Sequence, residues 1–459
     1  MSSEISKTMQ SIKRLFFIGI GGINMSSLAL ACKRKGYTVS GSDRAPSDIT
    51  EKLKAEGIPV FSEHKAENIS GCDAVIYNGA IGDDNPELAA AKAKGLPLIY
   101  RADLLGWIMR GYERRIGISG MHGKSTVTSM VSHVFISQGL DPTVMSGAET
   151  KEMGGAYRFG GGRDFIFEAC EYKDSFLDMF PTISVILNID IDHTDYFSGI
   201  DQIKASFDKF AHLPFSSDAK MPAAVVCGDD PIAEKIAADL PFAVTFGIAN
   251  TKCDYTAKKI TDEKGFYSFD IYTSSGSCGR VKLRIPGYHN IYNALATFAV
   301  CDLCDIPHEK ICAYISDFAG TLRRFEYKGT AGGASVYIDY AHHPRELDAS
   351  ISTAKDMAKG KKVVVIFEPH TYSRTKDHFD EFVDMLSKAD TAILVDIYAA
   401  REKNDGTVSS EMLADRIPCA WYAPSYDSAA AMARGMAEDG GIILVLGAGT
   451  VYKIGDILA

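Results

Sequence analysis

Short apolar runs, each the length of a strand, recur along this chain, separated by longer stretches in which alanine and charged residues mix in helical fashion. The first, Leu15-Phe16-Phe17-Ile18, runs into Gly19-Ile20-Gly21-Gly22, then a helix-like stretch through Ala31, then Tyr37-Thr38-Val39-Ser40 and Asp43. This is a strand, phosphate loop, helix, strand unit. Ala74-Val75-Ile76-Tyr77 and Pro97-Leu98-Ile99 continue the alternation and predict a small parallel α/β domain over 1–112, bounded by the polar stretch Arg110-Gly111-Tyr112-Glu113-Arg114. A second unit, 113–320, opens on Arg115-Ile116-Gly117-Ile118 and contains the strands Phe165-Ile166-Phe167-Glu168 and Ile183-Ser184-Val185-Ile186-Leu187. A third, 321–459, contains Val336-Tyr337-Ile338-Asp339, Lys362-Val363-Val364-Val365-Ile366-Phe367, Ala392-Ile393-Leu394-Val395 and Ile442-Ile443-Leu444-Val445-Leu446. These runs alternate with helical stretches and predict a mostly parallel, doubly wound sheet.

Composition fits three α/β domains. At 459 residues the chain exceeds one ordinary core, since domains average about 150 residues. With 46% hydrophobic and 24% charged residues it can bury such cores, and disorder is not the default. The net charge of −10 excludes a general nucleic-acid binder, so any phosphate-bearing ligand has to be held by a local site. No apolar run reaches the roughly 18 residues that span a bilayer, and Met1-Ser2-Ser3-Glu4 lacks the features of a signal peptide, which predicts a cytosolic protein without membrane insertion. The ten cysteines are scattered singly except for Cys301 and Cys304, which follow the buried-helix pattern Ala294-Leu295-Ala296-Thr297-Phe298-Ala299-Val300. Reduced thiols and core packing account for them better than a zinc half-site.

The first strong chemical signal is Gly117-Ile118-Ser119-Gly120-Met121-His122-Gly123-Lys124-Ser125-Thr126, between a strand and a helix. Backbone amides at a helix start can cradle a polyphosphate, Lys124 can neutralise its terminal oxygens, and the Ser125 hydroxyl can ligate Mg²⁺. Gly117 sits one place too early for the strict Walker spacing. A phosphate loop alone is common to kinases, GTPases, ATPases and ligases, so the rest of the chain decides. Downstream, Glu168-Ala169-Cys170-Glu171 and Asn188-Ile189-Asp190-Ile191-Asp192-His193-Thr194-Asp195 each follow a hydrophobic strand, placing acids and a histidine in loops where a divalent cation could bind.

In this order, these segments resemble the central domain of the Mur ligase family. The resemblance implies that Glu171 and His193 bind Mg²⁺, for which Mn²⁺ could substitute, together with Ser125. It implies that Gly120, Met121, His122, Gly123, Lys124, Ser125 and Thr126 hold the ATP phosphates. Asn290 and Asn293, in Pro286-Gly287-Tyr288-His289-Asn290-Ile291-Tyr292-Asn293-Ala294, would approach the adenine. In the third unit, Thr321-Leu322-Arg323-Arg324-Phe325-Glu326, Asp339-Tyr340-Ala341-His342-His343-Pro344 and Glu368-Pro369-His370-Thr371-Tyr372-Ser373-Arg374-Thr375 resemble the branch of the family that adds L-alanine. Arg324 and Asp339 would then serve ATP, and Tyr340, His342, His370 and Arg374 the amino acid. Arg374, read as lying between a buried strand and a helix, has the planar fork that suits a carboxylate or phosphate. In the first unit the resemblance assigns Gly21, Gly22, Ser42, Asp43 and His64 to a uridine diphosphate.

The implied reaction joins L-alanine to the carboxylate of UDP-N-acetylmuramate through an acyl phosphate, in peptidoglycan precursor synthesis. Lys124, Glu171, His193, His370 and Arg374 form its catalytic set. Three positions depart from the family pattern: Asn24 for Gly, Tyr172 for Ser and Glu368 for Gln. Phe207 stands where other branches carry a modified lysine, and nearby Lys204 is not expected to replace it. The alternatives are a related ligase using another amino acid or a tripeptide, a nicotinamide-dependent oxidoreductase, and a non-enzymatic nucleotide switch. Against the oxidoreductase, Gly19-x-Gly21-x-x-Asn24 puts a side chain where a helix normally packs tightly on a strand.

Overall fold

The computed structural model describes residues 2–150, 155–191, 196–400, 402–404 and 406–459. Its strands form three sheets, one for each unit of the chain. The first has five parallel strands, in the order Val60–Phe61, Thr38–Ser42, Arg14–Ile18, Ala74–Tyr77, Leu98–Tyr100. The chain runs outward from Arg14–Ile18 in both directions, which opens a crevice at the carboxyl ends of the central strands, where the glycine loop lies.

The second sheet has ten strands. Its parallel centre holds Ile183–Ile186, Arg114–Ser119 and Asp164–Glu168 side by side. Ile183–Ile186 is buried throughout, as a strand covered on both faces requires. On one side Tyr255–Glu263 joins parallel to Ala243–Gly247 and begins an antiparallel extension through Phe266–Thr273 and Gly276–Pro286, and on the other Gly155–Arg158 is an antiparallel edge. Gly276–Pro286 alternates buried and solvent-facing positions along its second half, so it carries too few apolar residues to stand out as a run. The third sheet has six strands rather than four. The additional ones are Glu326–Ala331, antiparallel to Ala334–Asp339, and the short edge strand Ala420–Tyr422.

One apolar cluster joins the first two units, including Leu104, Met109, Met121 and Phe176. Arg110 lies over the Phe180 ring at 3.9 Å, adding a cation–π contact across the same seam. Phe207 is fully buried there, with its ring 5.3 Å from that of Phe176, which stacks on Phe210 at 4.7 Å. Cys301 and Cys304 are buried free thiols in the middle core, where burial raises their pKa values. Among the described residues, no helix is long and apolar enough to cross a membrane.

Candidate active site

In the first sheet the chain turns at Gly19, whose φ of +73° favours glycine. Gly21 N donates to Asp43 Oδ2 at 2.9 Å, and a Cβ on Gly21 would stand 2.8 Å from that oxygen. Gly22 is the N-cap of the helix Ile23–Arg34. The Ser42 carbonyl accepts from Gly19 N and Ile20 N, and its hydroxyl lies 2.9 Å from His64 Nδ1. Gly21, Gly22, Ser42, Asp43 and His64 therefore share one end of the sheet, at a helix start suited to an anion. The obstruction expected at Asn24 is absent, because Asn24 is exposed on the helix's first turn. The close approach falls at Gly41, where a Cβ would meet Phe17 O at 2.4 Å and Ile20 Cδ1 at 2.8 Å.

In the middle unit the strand Arg114–Ser119 leads through the phosphate loop to the helix Lys124–Ser137. Gly120 and Gly123 have φ of +142° and +87°, and a Cβ on Gly123 would lie 2.7 Å from Asn293 Oδ1. Asn188 clamps the loop: His122 N donates to its Oδ1 at 2.8 Å, and its Nδ2 donates to His122 O at 3.0 Å. Lys124 Nζ donates to Gly120 O at 2.5 Å and to the two Glu171 carboxylate oxygens at 3.1 and 3.0 Å. Burial opposes the Lys124 charge, but Glu171 outweighs it and raises the ammonium pKa above 10.5.

Ser125 and Glu171 are buried beside the loop, and their oxygens suit a hard cation such as Mg²⁺. His193 lies outside the described residues, among which no group of three metal-ligating side chains occurs. The Met121 side chain is buried in the apolar cluster, which leaves its backbone as the part available to a phosphate.

A cavity of about 510 Å³ separates this loop from the third unit, within the range of about 300–1,000 Å³ usual for ligand pockets. His122, Gly123, Thr126, Asn290 and Asn293 line one side, and Arg324, Asp339, Arg345 and Glu346 the other. Asn290 is fixed by donating to Pro286 O at 2.7 Å, and Asn293 by donating to Asn290 Oδ1 at 2.8 Å. Burial pushes the Asp339 carboxyl up, opposed by Arg324, while Phe325 N and Ala341 N donate to it at 2.7 and 2.8 Å.

Beyond the cavity, Tyr340, His342, His370 and Arg374 form a second group. Arg374 Nη1 is 3.2 Å from His370 Nδ1, and the His342 and His370 rings are 5.7 Å apart. Arg374 lies inside the short helix Tyr372–Asp377 rather than before it. That helix starts at once because the Thr371 hydroxyl caps it, with Thr371 at φ +67°, a strained position for a β-branched residue. Burial, then the positive charge of His342 and Arg374, pushes His370 down to about 4, so it is neutral at pH 7.

Three family descriptions match in order: "Mur ligase family, catalytic domain" over 14–113, "Mur ligase middle domain" over 118–301 and "Mur ligase, glutamate ligase domain" over 323–449. The chain belongs to the Mur ligase family. This Mur ligase is 46% identical to a UDP-N-acetylmuramate–L-alanine ligase of Caldanaerobacter subterraneus subsp. tengcongensis over 98% of its own length and 97% of the relative's. It is 42% identical to a protein of the same name from Clostridium tetani, over 98% of each. Among solved structures, the UDP-N-acetylmuramate–alanine ligase of Thermotoga maritima superposes with a TM-score of 0.78 at 27% identity, covering 97% of this chain and 98% of that one. Mur ligases are ATP-dependent enzymes that act on small molecules and normally use Mg²⁺.

Several residues of this Mur ligase carry no role in the sequence reading but stand in the site. Asn188 was visible only as the first letter of its motif, Tyr292 stood without a role between Asn290 and Asn293, and Asp229, to which the Tyr292 hydroxyl donates at 2.8 Å, lines the cavity without any motif. Glu346 lies three residues after His343 and completes a capping box on the helix Pro344–Ala358, a spacing that could have marked it. Its carboxylate is 3.9 Å from His122 of the phosphate loop and 3.3 Å from His342. Burial opposes its charge, but His342, His122 and Arg324 hold it well below the usual carboxylate range. Arg345 pairs with Asp190, a second tie between the middle and third units.

Proposed function

We propose that this Mur ligase joins L-alanine to the lactyl carboxylate of UDP-N-acetylmuramate with cleavage of ATP to ADP and phosphate, in peptidoglycan precursor synthesis. The observation that carries this reading is the end-to-end likeness to the Caldanaerobacter enzyme of that name. A carboxylate does not condense with an amine unaided, because oxide is a poor leaving group. An oxygen of the lactyl carboxylate attacks the γ-phosphorus of ATP, ADP departs, and an acyl phosphate forms. The amine of L-alanine, having lost a proton, then attacks the acyl carbon, and inorganic phosphate leaves.

Lys124 stabilises charge on the phosphate oxygens as transfer proceeds. Ser125, Glu171 and His193 would hold Mg²⁺, which when bound supplies further charge neutralisation there. Asn290 and Asn293 seat the adenine end, with Arg324 and Asp339 on the facing wall. Arg374 binds the L-alanine carboxylate, and His370, neutral and stacked on Tyr398, keeps the guanidinium oriented. Gly21, Gly22, Ser42, Asp43 and His64 hold the uridine diphosphate.

Initial rates with L-alanine, glycine, L-serine and the L-alanyl-γ-D-glutamyl-meso-diaminopimelate tripeptide test the reading. It expects kcat/KM to be largest for L-alanine, and preference for the tripeptide would overturn it. Calorimetry on the full chain addresses the first glycine loop: UDP-N-acetylmuramate is expected to bind and NADH is not.

A further inference from the structure

Beneath the glycine loop of the first sheet lies a fully buried acid to which the reaction assigns no role. Glu87 sits in the first turn of the helix Pro86–Ala93, and its backbone is pinned because Asn85 Oδ1 accepts from Glu87 N at 2.9 Å and Leu88 N at 3.1 Å. Its side chain is 0% exposed, and its one ion-pair partner among the described residues is His64, with Nδ1 2.8 Å from Oε2. The Ser42 hydroxyl donates to the same oxygen at 2.7 Å, and Asn68 Nδ2 donates to Oε1 at 2.7 Å and to Glu63 O at 2.8 Å.

Burying a carboxylate in a small α/β core is costly, and an apolar side chain would fill this space at less cost if packing were its purpose. The network fixes the imidazole instead. An ionised carboxylate only accepts, so the short Nδ1–Oε2 contact puts the ring proton on Nδ1. Ser42 Oγ, which gives its own proton to Glu87, is the second oxygen beside that nitrogen. Nε2 has no hydrogen-bond partner among the described residues, and it is the ring's remaining polar atom. Ser42 also carries the network to the glycine loop, since its carbonyl accepts from Gly19 N and Ile20 N.

We infer that Glu87 is a positioning residue for the uridine nucleotide, acting through His64, whose Nε2 it turns outward as an acceptor for a uridine N–H or O–H donor. This rests on the proposed uridine site of the first domain. The full-length enzyme tests it by steady-state kinetics and calorimetry on wild type, Glu87→Gln, His64→Ala and the double variant. Glu87→Gln should raise KM and Kd for UDP-N-acetylmuramate by about tenfold while KM for ATP and for L-alanine stays within about twofold. In the His64→Ala background the same change should add less than about twofold, because the residue it positions is gone. A full additional penalty in that background, or a parallel rise in all three KM values, overturns the inference in favour of a structural role. If wild type fails to bind UDP-N-acetylmuramate, the proposed function falls. If wild type binds it and Glu87→Gln binds equally well, the inference alone falls. A readout that needs no Glu87 variant is the ¹⁵N shift of the His64 ring, assigned with His64→Gln. Nδ1 should carry the proton, and Nε2 should move on addition of UDP. An Nε2-protonated ring, or one that saturating UDP leaves unchanged, overturns the assignment.

Discussion

Replacing Lys124 by alanine should nearly abolish turnover while leaving the uridine substrate bound. Nζ is already held in place by Gly120 O and both oxygens of Glu171, on a side chain only 17% exposed. The charge is therefore preorganised and partly dehydrated, and water entering the space left by alanine has no comparable charge to offer. Loss of one such group at a transferring phosphoryl costs about 3–4 kcal/mol of transition-state stabilisation, equivalent to about 10²–10³ in kcat. Lys124→Arg keeps the charge, but a planar fork fits poorly where three oxygens converge on one nitrogen, so it should recover less than about a tenth of the lost rate. The assay is ADP release at saturating substrates, with Kd for UDP-N-acetylmuramate from calorimetry. That Kd should change by less than about twofold, since Lys124 and the uridine residues lie on different sheets. A kcat within about tenfold of wild type, or a Kd that rises as steeply as kcat falls, would exclude this role for Lys124.

Phe207→Ala empties a position packed against Phe176 and should cost about 3–5 kcal/mol, read in a denaturant titration of the full chain by circular dichroism. Glu368 is buried, and its carboxyl is raised first by that burial, so its contribution to stability is present below its unfolded pKa and lost as pH rises through the folded value. Glu368→Gln should therefore raise Tm at pH 8 more than at pH 4.5, and equal shifts at both would contradict this. His370 behaves in the opposite sense: its contribution is present above its unfolded pKa of 6.5 and lost as pH falls towards about 4. KM for L-alanine follows the folded enzyme's His370 alone, so it should rise only as pH falls through about 4, and a profile that stays flat through that value in wild type would remove His370 from the amino-acid site. Gly123→Ala adds a Cβ at φ +87° against Asn293 and should weaken ATP binding by at least about tenfold, measurable by calorimetry.

Contacts between neighbouring strands were the most legible part of the site. Ile118 and Glu168 are register partners on adjacent parallel strands, so a loop after the first and an acid just after the second emerge at the same edge. That geometry brings Lys124 to Glu171 across 47 residues. The capping-box spacing after His343 could mark Glu346 as a helix-start residue, but its reach to His122 depends on the docking of the third unit on the second, which no local pattern encodes. Glu87 was hidden for another reason. An acid in the first turn of a helix is ordinary, and only the arrival of Ser42, His64 and Asn68 from elsewhere makes it unusual. The antiparallel extension Tyr255–Glu263, Phe266–Thr273 and Gly276–Pro286 escaped notice because its strands are half polar, whereas Val363–Phe367 is apolar throughout.

In the proposed reaction ATP is cleaved only to activate a carboxylate that L-alanine then captures. Release of ADP and phosphate, measured with UDP-N-acetylmuramate, L-alanine and ATP each omitted in turn, tests it most directly. Full release is expected only with all three present, with amide product formed in a one-to-one ratio to phosphate, because a closed, water-excluding site is needed to make and hold the acyl phosphate. Rapid phosphate release from ATP alone, or steady release without L-alanine, would contradict the account.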